Sequence, residues 1–196
     1  MTQDLDGGAA PVVSFDDEPL ILVDSDDNVL GYKPKAETHQ GRGVLHRAFS
    51  IFLFDSAGRV LLQQRADGKQ LWGGYWSNSC CSHPRRGETV HHAAARRLRE
   101  ELDIDAELQY LFRFEYHAPF GEIGAEHELC SVFVAASDAA VHVNPHEVSQ
   151  WRFVAPEMLD RELCQRPERY TPWLKIEWPR IRESHWSEVE RVVRRA

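Results

Sequence analysis

Three histidines and two carboxylates carry most of the chemistry this sequence offers. His39 and His46 flank Gly41-Arg42-Gly43, His83 sits in Cys81-Ser82-His83-Pro84, and Glu126 and Glu128 bracket His127 at the entrance to an apolar run. In an extended strand, residues two apart project to one face, so Glu126 and Glu128 can converge on one point while His127 faces away. Imidazole mixed with carboxylate suits zinc, manganese or iron, whereas carboxylate alone favours magnesium. An isolated histidine is more often an ordinary surface or buried imidazole than a ligand. Ten histidines are scattered along this chain, and their spacing matches no zinc-finger pattern.

A second charged feature is the run Arg96-Arg97-Leu98-Arg99-Glu100-Glu101-Leu102-Asp103-Ile104, with Glu88 eight positions before Arg96. The Ala- and Arg-rich segment from Thr89 to Leu102 predicts a helix, with Val90, Ala94, Arg97 and Glu101 recurring along one stripe. That stripe mixes apolar and charged groups, which is unusual for a core face. Arg97 and Glu101 alone read equally as an exposed i,i+4 ion pair worth about 0.3–0.5 kcal/mol.

Around these residues the pattern is largely β. Leu20–Val23 and Val29–Tyr32 predict a hairpin about the turn-rich Asp24–Asn28, and Ala48–Phe54 with Arg59–Arg65 predict a second about Asp55–Gly58. The first run of the second hairpin is apolar throughout, which predicts a central strand. Leu71–Pro84 reads as an irregular functional loop with a strand fragment at Trp76–Ser79. Further strands are expected at Tyr110–Tyr116, Glu128–Ala135 and Ser149–Val154, and a C-terminal helix at Arg182–Arg195. Cys80 and Cys81, as neighbours in an extended segment, point to opposite sides, so one can face a site and the other the core. With Cys130 and Cys164 they are too few and too irregularly spaced for a disulfide framework and are expected as thiols.

The charged helix resembles the Nudix signature, Gly-x5-Glu-x7-Arg-Glu-U-x-Glu-Glu-x-Gly-U with U aliphatic. Glu88, Arg96, Leu98, Glu100, Glu101 and Ile104 match, while Ser82 stands for the first Gly, Arg97 for the Glu after Arg, and Asp103 for the last Gly. An Arg in place of an acid removes a potential metal ligand and sets a guanidinium beside a diphosphate, which favours holding phosphates over hydrolysing them. The pattern extends further: His39-x6-His46-x-Ala48-Phe49-Ser50, the segment Gln64–Lys69, the segment Leu71–Pro84, Glu126-x-Glu128-x-Cys130 and Tyr170-Thr171-Pro172-Trp173 together resemble the type 1 isopentenyl-diphosphate isomerases. Against the isomerase pattern, Ser82 also replaces the Gly that usually follows the catalytic cysteine, His127 replaces the Asn of a Glu-Asn-Glu run, and Cys80 adds a thiol beside Cys81.

The first fifteen residues, rich in Asp, Gly and Ala and without periodicity, are expected to form a flexible tail. For residues 16–196 the resemblance implies a single domain with an α+β fold of Nudix type, mixed β-sheet layers packed between α-helices. It implies Cys81 and Glu128 as the acid/base pair, with Tyr116 near the reacting carbons and Trp173 at the hydrocarbon end. His39, His46, His83, Glu126 and Glu128 would bind one divalent metal, manganese, zinc or magnesium. Glu101 and the backbone carbonyl of Cys81 would bind a magnesium carried by the diphosphate, and Lys35, Arg65, Lys69 and Arg97 would hold the diphosphate oxygens. The reaction would be isomerisation of isopentenyl to dimethylallyl diphosphate. The alternatives are a Nudix hydrolase cleaving a diphosphate and a non-catalytic zinc-stabilised binding module.

Composition bounds the partners. A formal charge of -8 argues against general attraction to nucleic acid or an anionic membrane, so an anionic small molecule must meet a local basic cluster. No run approaches the roughly 18 apolar residues that span a bilayer, and the N-terminus is acidic rather than signal-like, so a cytoplasmic protein is expected. No feature of the sequence assigns an oligomeric partner.

Overall fold

The structure is a computed structural model and describes residues 10–195. Of the tail expected over residues 1–15, residues 1–9 lie outside the described residues. Residues 10–15 run beside the pocket described below.

Nine strands form one mixed sheet: β1 (Pro19–Val23), β2 (Val29–Pro34), β3 (His46–Phe54), β4 (Val60–Arg65), β5 (Trp76–Ser77), β6 (Cys80–Ser82), β7 (Gln109–Phe120), β8 (Gly124–Ala136) and β9 (Val148–Val154). Five helices are interspersed: α1 (Lys35–Thr38), α2 (Val90–Leu102), α3 (Pro156–Gln165), α4 (Pro172–Ser184) and α5 (Trp186–Val193). Among the described residues no helix is long and apolar enough to cross a membrane.

The centre of the sheet is β3, as its uninterrupted apolar run predicts, because only a strand covered on both faces can bury such a run. It pairs in parallel with β8 from His46↔Glu128 to Phe54↔Ala136, and β7 extends the sheet antiparallel to β8. The expected hairpin of β3 with β4 exists only at its turn, where Phe54 faces Val60; beyond it the strands separate and β4 takes β9 as its partner. Into the opened space fits β6, with Ser50↔Cys81 and Ile51↔Cys80 as register pairs.

Alternation along these strands builds two cores. On one face Phe49, Ile51, Leu53, Cys80 and Phe133 pack with Ala94, Leu98 and Leu102 of α2. On the other, Phe52, Phe54, Val132 and Val134 pack with Trp173, Leu174, Trp178 and Ile181 of α4 and Val189 of α5. Thr89 caps α2 by accepting from the His92 amide at 3.2 Å. Asp103 closes the helix in the left-handed conformation at φ 57°, where the Nudix signature places glycine. A short polar side chain is one of the few that tolerates that conformation.

The C-terminal helix departs from expectation. In place of one helix over 182–195, α4 begins at Pro172 and the chain breaks at His185 (φ -128°) before α5. The His185 ring stacks on Phe112 at 4.9 Å, anchoring the break against the sheet. Proline at the first position pre-sets α4, and Pro179 within it removes one helical hydrogen bond, which obscures the helical pattern. The α3 helix was not anticipated either.

Glu177 of α4 is carried fully buried into the apolar layer. Its Oε1 accepts from Cys130 Sγ at 3.6 Å, and its Oε2 has no partner. Burial pushes this carboxyl up to about 7, against hydrogen bonds from Ser50 and Cys130. A carboxyl with a folded pKa above its unfolded value costs stability as pH rises between the two. The penalty therefore grows from about pH 4.5 to about 7 and reaches roughly 3 kcal/mol above that window. Glu177→Gln is expected to gain about 2–3 kcal/mol on the parent between pH 5 and 8 in urea unfolding. Parallel stability curves would refute the assignment.

Candidate active site

Strand register assembles the first half of the site. His46 lies directly beside Glu128 in the β3–β8 ladder, and Tyr116 lies beside Glu128 on the other edge of β8. Glu126 shares the face of Glu128 two residues earlier, and His83 follows the end of β6. His39 ends α1, its position set by a backbone clamp in which its carbonyl accepts from the Ala125 amide at 2.9 Å. Gly124 makes this clamp possible, since a Cβ there would sit 2.3 Å from the His39 carbonyl oxygen. Gly124→Ala is therefore expected to push the His39 segment off β8 and destabilise the fold by about 1–3 kcal/mol, visible as a lower melting temperature. An unchanged melting temperature would contradict the clamp.

One ligand atom from each of His39, His46, His83, Glu126 and Glu128 lies within 4.8 Å of all the others. The proton positions follow from their neighbours. His39 Nδ1 lies 2.7 Å from the Lys35 carbonyl and His46 Nδ1 lies 2.7 Å from the Val44 carbonyl. Each Nδ1 must donate, which leaves lone pairs at both Nε2 atoms. His46 Nε2 nevertheless faces His83 Nε2 at 3.1 Å. His39 Nε2 and Glu126 Oε2 approach to 2.8 Å without hydrogen-bond alignment and are otherwise unpartnered although buried. Lone pairs crowded on one interior point with unsatisfied atoms are what a divalent cation resolves, so the donor set fits a metal of the imidazole-carboxylate kind.

Without a cation these groups have displaced titrations. Burial holds His46 down to about 3 and His83 well below the usual imidazole range, the latter reinforced by His46. Burial and the neighbouring Glu126 raise Glu128 well above the carboxylate range, against the hydrogen bond from Tyr116. Burial opposes ionisation of Glu126, but His39 outweighs it and brings the carboxyl to about 2.

The wall of the site is a cavity of about 520 Å³. Cys81 lines it while Cys80 is fully buried beneath α2, as alternation along β6 requires. Burial pushes the Cys81 thiol up to about 12, against the pull of Arg65, whose Nη1 donates to Sγ at 3.8 Å. Tyr116 donates its hydroxyl to Glu128 Oε2 at 2.8 Å. Trp173 stands 6.3 Å from Tyr116 and 5.5 Å from Trp72 between ring centroids, and its indole nitrogen donates to Ser77 Oγ and Asn78 Oδ1 at 2.9 and 3.0 Å. The Arg65 guanidinium lies over the Trp173 ring at 5.2 Å.

One part of the cavity lining is basic. Lys35, Lys69 and Arg97 form it together with Glu101. Arg97 and Glu101 are buried, 2% exposed each, with Arg97 Nη2 donating to Glu101 Oε1 at 2.6 Å. The reading of an exposed surface pair is thereby excluded. Burial disfavours the Arg97 charge, but Glu101 more than restores it. Of the other signature acids, Glu88 is held by Arg96 through both oxygens, and Glu100 pairs with Arg96 and Arg97. Glu101 is the signature acid that reaches the cavity. His127 lies on the other face, 3.1 Å from Glu115.

Every residue the sequence assigned to catalysis, substrate or metal reaches this one place; all line the cavity except His46, which joins it through the metal cluster. Sequence reasoning missed Glu147, paired to Lys69 and Arg97, and the segment Val12–Asp16 along the cavity. The Val13 carbonyl accepts from Arg97 at 2.7 Å and Ser14 Oγ accepts from Lys35. Neither residue carries a periodic or motif signal; both arrive through loop packing.

The NUDIX domain family matches residues 44–174, so the class of the protein is a NUDIX-domain protein. DR0079 of Deinococcus radiodurans superposes with a TM-score of 0.69 at 25% identity, over 83% of this chain and 98% of that one. The MutT protein of Methanosarcina mazei, at 16% identity and a TM-score of 0.60 over 72% and 95%, shares the fold. Isopentenyl-diphosphate Delta-isomerase 1 of Photorhabdus laumondii is 42% identical over 88% of this chain and 99% of its own length. Isopentenyl-diphosphate Delta-isomerase 2 of Aromatoleum aromaticum is 48% identical over 81% and 83%. Within the NUDIX class, the chain belongs to the isopentenyl-diphosphate Delta-isomerase family.

Proposed function

We propose that this protein isomerises isopentenyl diphosphate to dimethylallyl diphosphate, with Cys81 and Glu128 exchanging the two protons. The observation that supports this reading is a single cavity lined by the Cys81 thiol, the Glu128 carboxylate of the metal-ligand cluster, the rings of Tyr116 and Trp173, and the cations Lys35, Arg65, Lys69 and Arg97. The fixed, unreactive end of the substrate is gripped so that the reacting carbons are presented.

The proposed divalent cation, manganese, zinc or magnesium, would be held by His39, His46, His83, Glu126 and Glu128, and would supply positive charge that fixes Glu128 and sets its basicity. A magnesium accompanying the diphosphate would meet Glu101 and the Cys81 carbonyl. Lys35, Arg65, Lys69 and Arg97 would bind the diphosphate oxygens, the first and last exchanging their contacts with Ser14 and Val13 for phosphate.

The raised pKa keeps Cys81 protonated at neutral pH, so the thiol enters as a reservoir of one proton. One member of the pair delivers a proton to the terminal alkene carbon; the other removes one from the carbon adjacent to the diphosphate-bearing carbon. The double bond moves between, and no electrons leave or enter the pair of reactants. Tyr116, bonded to Glu128 Oε2, orients the carboxyl oxygen. The cationic character at the branching carbon faces Trp173, whose π-face contributes roughly 2 kcal/mol in a dry site. Trp72 and Leu71 exclude the water that would capture that charge.

A diphosphate hydrolase would need several carboxylates converging on the phosphates. Glu88 and Glu100 are turned to arginines, which argues against it. The test is product identity. Isopentenyl diphosphate with magnesium should give dimethylallyl diphosphate, followed by phosphorus NMR, whereas release of monophosphate or inorganic phosphate would establish a hydrolase.

A further inference from the structure

Glu147 is a buried carboxylate in the basic part of the cavity lining, 5% exposed, and the acid/base chemistry makes no use of it. Its Oε2 takes the Lys69 ammonium and lies 3.2 Å from Arg97 Nη2. The same Arg97 nitrogen donates to Glu101 Oε1 at 2.6 Å, so one guanidinium edge is gripped from two sides by acids on different elements. The backbone of Glu147 is equally fixed. Its amide donates to the Asn144 carbonyl at 3.0 Å and its carbonyl accepts from the Ala66 amide at 2.9 Å, while the Asn144 amide donates to the Glu101 carbonyl at 2.9 Å. The loop before β9 thus ties the Lys69 loop to the end of α2 through Glu147.

Three cations crowd this part of the lining, and like charges at short range repel. Lys69 and Arg97 both depress the Lys35 ammonium, beyond what burial does, while Glu147 supports it. Burial opposes the Glu147 charge, but Lys69 and Arg97 prevail and hold it ionised below the usual carboxylate range. A flexible lysine loses rotamer freedom when a ligand fixes it, and a carboxylate that has already fixed it removes that cost from binding.

We propose that Glu147 is a positioning residue of the diphosphate seat, holding Lys69 and Arg97 side by side in the geometry that receives the phosphate oxygens. The proposal rests on the isomerase reading only for the identity of the anion. Its opposite is equally physical: a negative charge beside a polyanion site weakens binding, and if that dominates, removing Glu147 tightens the complex. Preorganisation and simple counter-charge therefore predict opposite signs.

The test measures binding of inorganic pyrophosphate with magnesium by calorimetry for the parent, Glu147→Gln, Glu147→Asp, Lys69→Gln and the Lys69→Gln/Glu147→Gln double variant, together with KM and kcat for isopentenyl diphosphate. Glu147→Gln is expected to weaken pyrophosphate binding and raise KM about ten-fold, with a smaller fall in kcat, as loss of a charge-assisted pair implies. Glu147→Asp should recover part of the loss, and the double variant should bind within about two-fold of Lys69→Gln alone, because Glu147 acts largely through Lys69. Equal or tighter pyrophosphate binding by Glu147→Gln, or fully additive losses in the double variant, would overturn the proposal. Should Glu147→Gln not fold, the Asp variant decides by the same two readouts. Pyrophosphate binding without turnover in the parent would count against the isomerase reading and leave the Glu147 test intact.

Discussion

Cys81→Ala and Glu128→Gln should each lower the rate of isomerisation by about 10²–10⁴-fold, the span that a positioned acid or base contributes. On the proposed mechanism each removes one proton-transfer group, and Glu128→Gln also takes one carboxylate from the metal-ligand cluster. Gln keeps the volume of Glu128 and an oxygen for the Tyr116 hydroxyl, but has no carboxyl to gain or lose a proton. Ala at position 81 preserves the backbone ladder with Ser50. The adjacent thiol cannot stand in, because Cys80 is fully buried on the α2 side of the sheet. Cys80→Ala is accordingly the matched control and should retain turnover. Comparable losses from Cys80→Ala and Cys81→Ala, in stopped assays at saturating substrate, would show that the thiol acts through folding rather than proton transfer.

Removing the divalent cation proposed for the cluster of His39, His46, His83, Glu126 and Glu128 should abolish turnover and loosen the fold. The three imidazole Nε2 atoms, two of them fixed as lone pairs by carbonyls on Nδ1, and two carboxylates share a space less than 5 Å across, which is a repulsive arrangement when nothing positive sits between them. A ligand present at a hundred times its dissociation constant stabilises the folded state by about 2.7 kcal/mol. For a chain of this size each kcal/mol moves the melting temperature by about 2–4 °C, so chelation should lower it by roughly 5–11 °C. Added manganese or zinc should restore both properties. His46→Ala should resemble the chelated protein and resist restoration, since His46 is fully buried and no water replaces its nitrogen easily. Full activity after exhaustive chelation, verified by elemental analysis, would remove the cation from the account.

Much of the site was legible because strand alternation is a strict rule. Glu126 and Glu128 on one face, His127 on the other, and Cys80 opposed to Cys81 all follow from the two-residue period. The apolar run of β3 announced its central place, and the capped Thr89–Leu102 segment announced α2. What stayed hidden depends on long-range packing. The separation of β4 from β3, which makes room for β6 and hence for Cys81, is set by the competing partner β9 almost ninety residues away. Prolines masked α4, and a non-helical His185 split the C-terminal helix. Glu147 and the residues near Ser14 enter the cavity from loops, where no period marks a functional side chain.

The mixed stripe on α2 illustrates how a local reading changes once layers are known. Arg97 and Glu101 look like a solvated pair in isolation, yet both are buried at the cavity, where desolvation makes an uncompensated charge costly. The Arg97 charge is compensated there by Glu101 at 2.6 Å and Glu147 at 3.2 Å.

Isopentenyl diphosphate and magnesium incubated with the enzyme in deuterated water, followed by proton and deuterium NMR, test double-bond transposition by proton exchange most directly. The expected product is dimethylallyl diphosphate bearing deuterium in a methyl group, with the diphosphate intact. Dimethylallyl diphosphate free of deuterium after many turnovers, or cleavage of the diphosphate with the alkene unmoved, would contradict transposition by proton exchange.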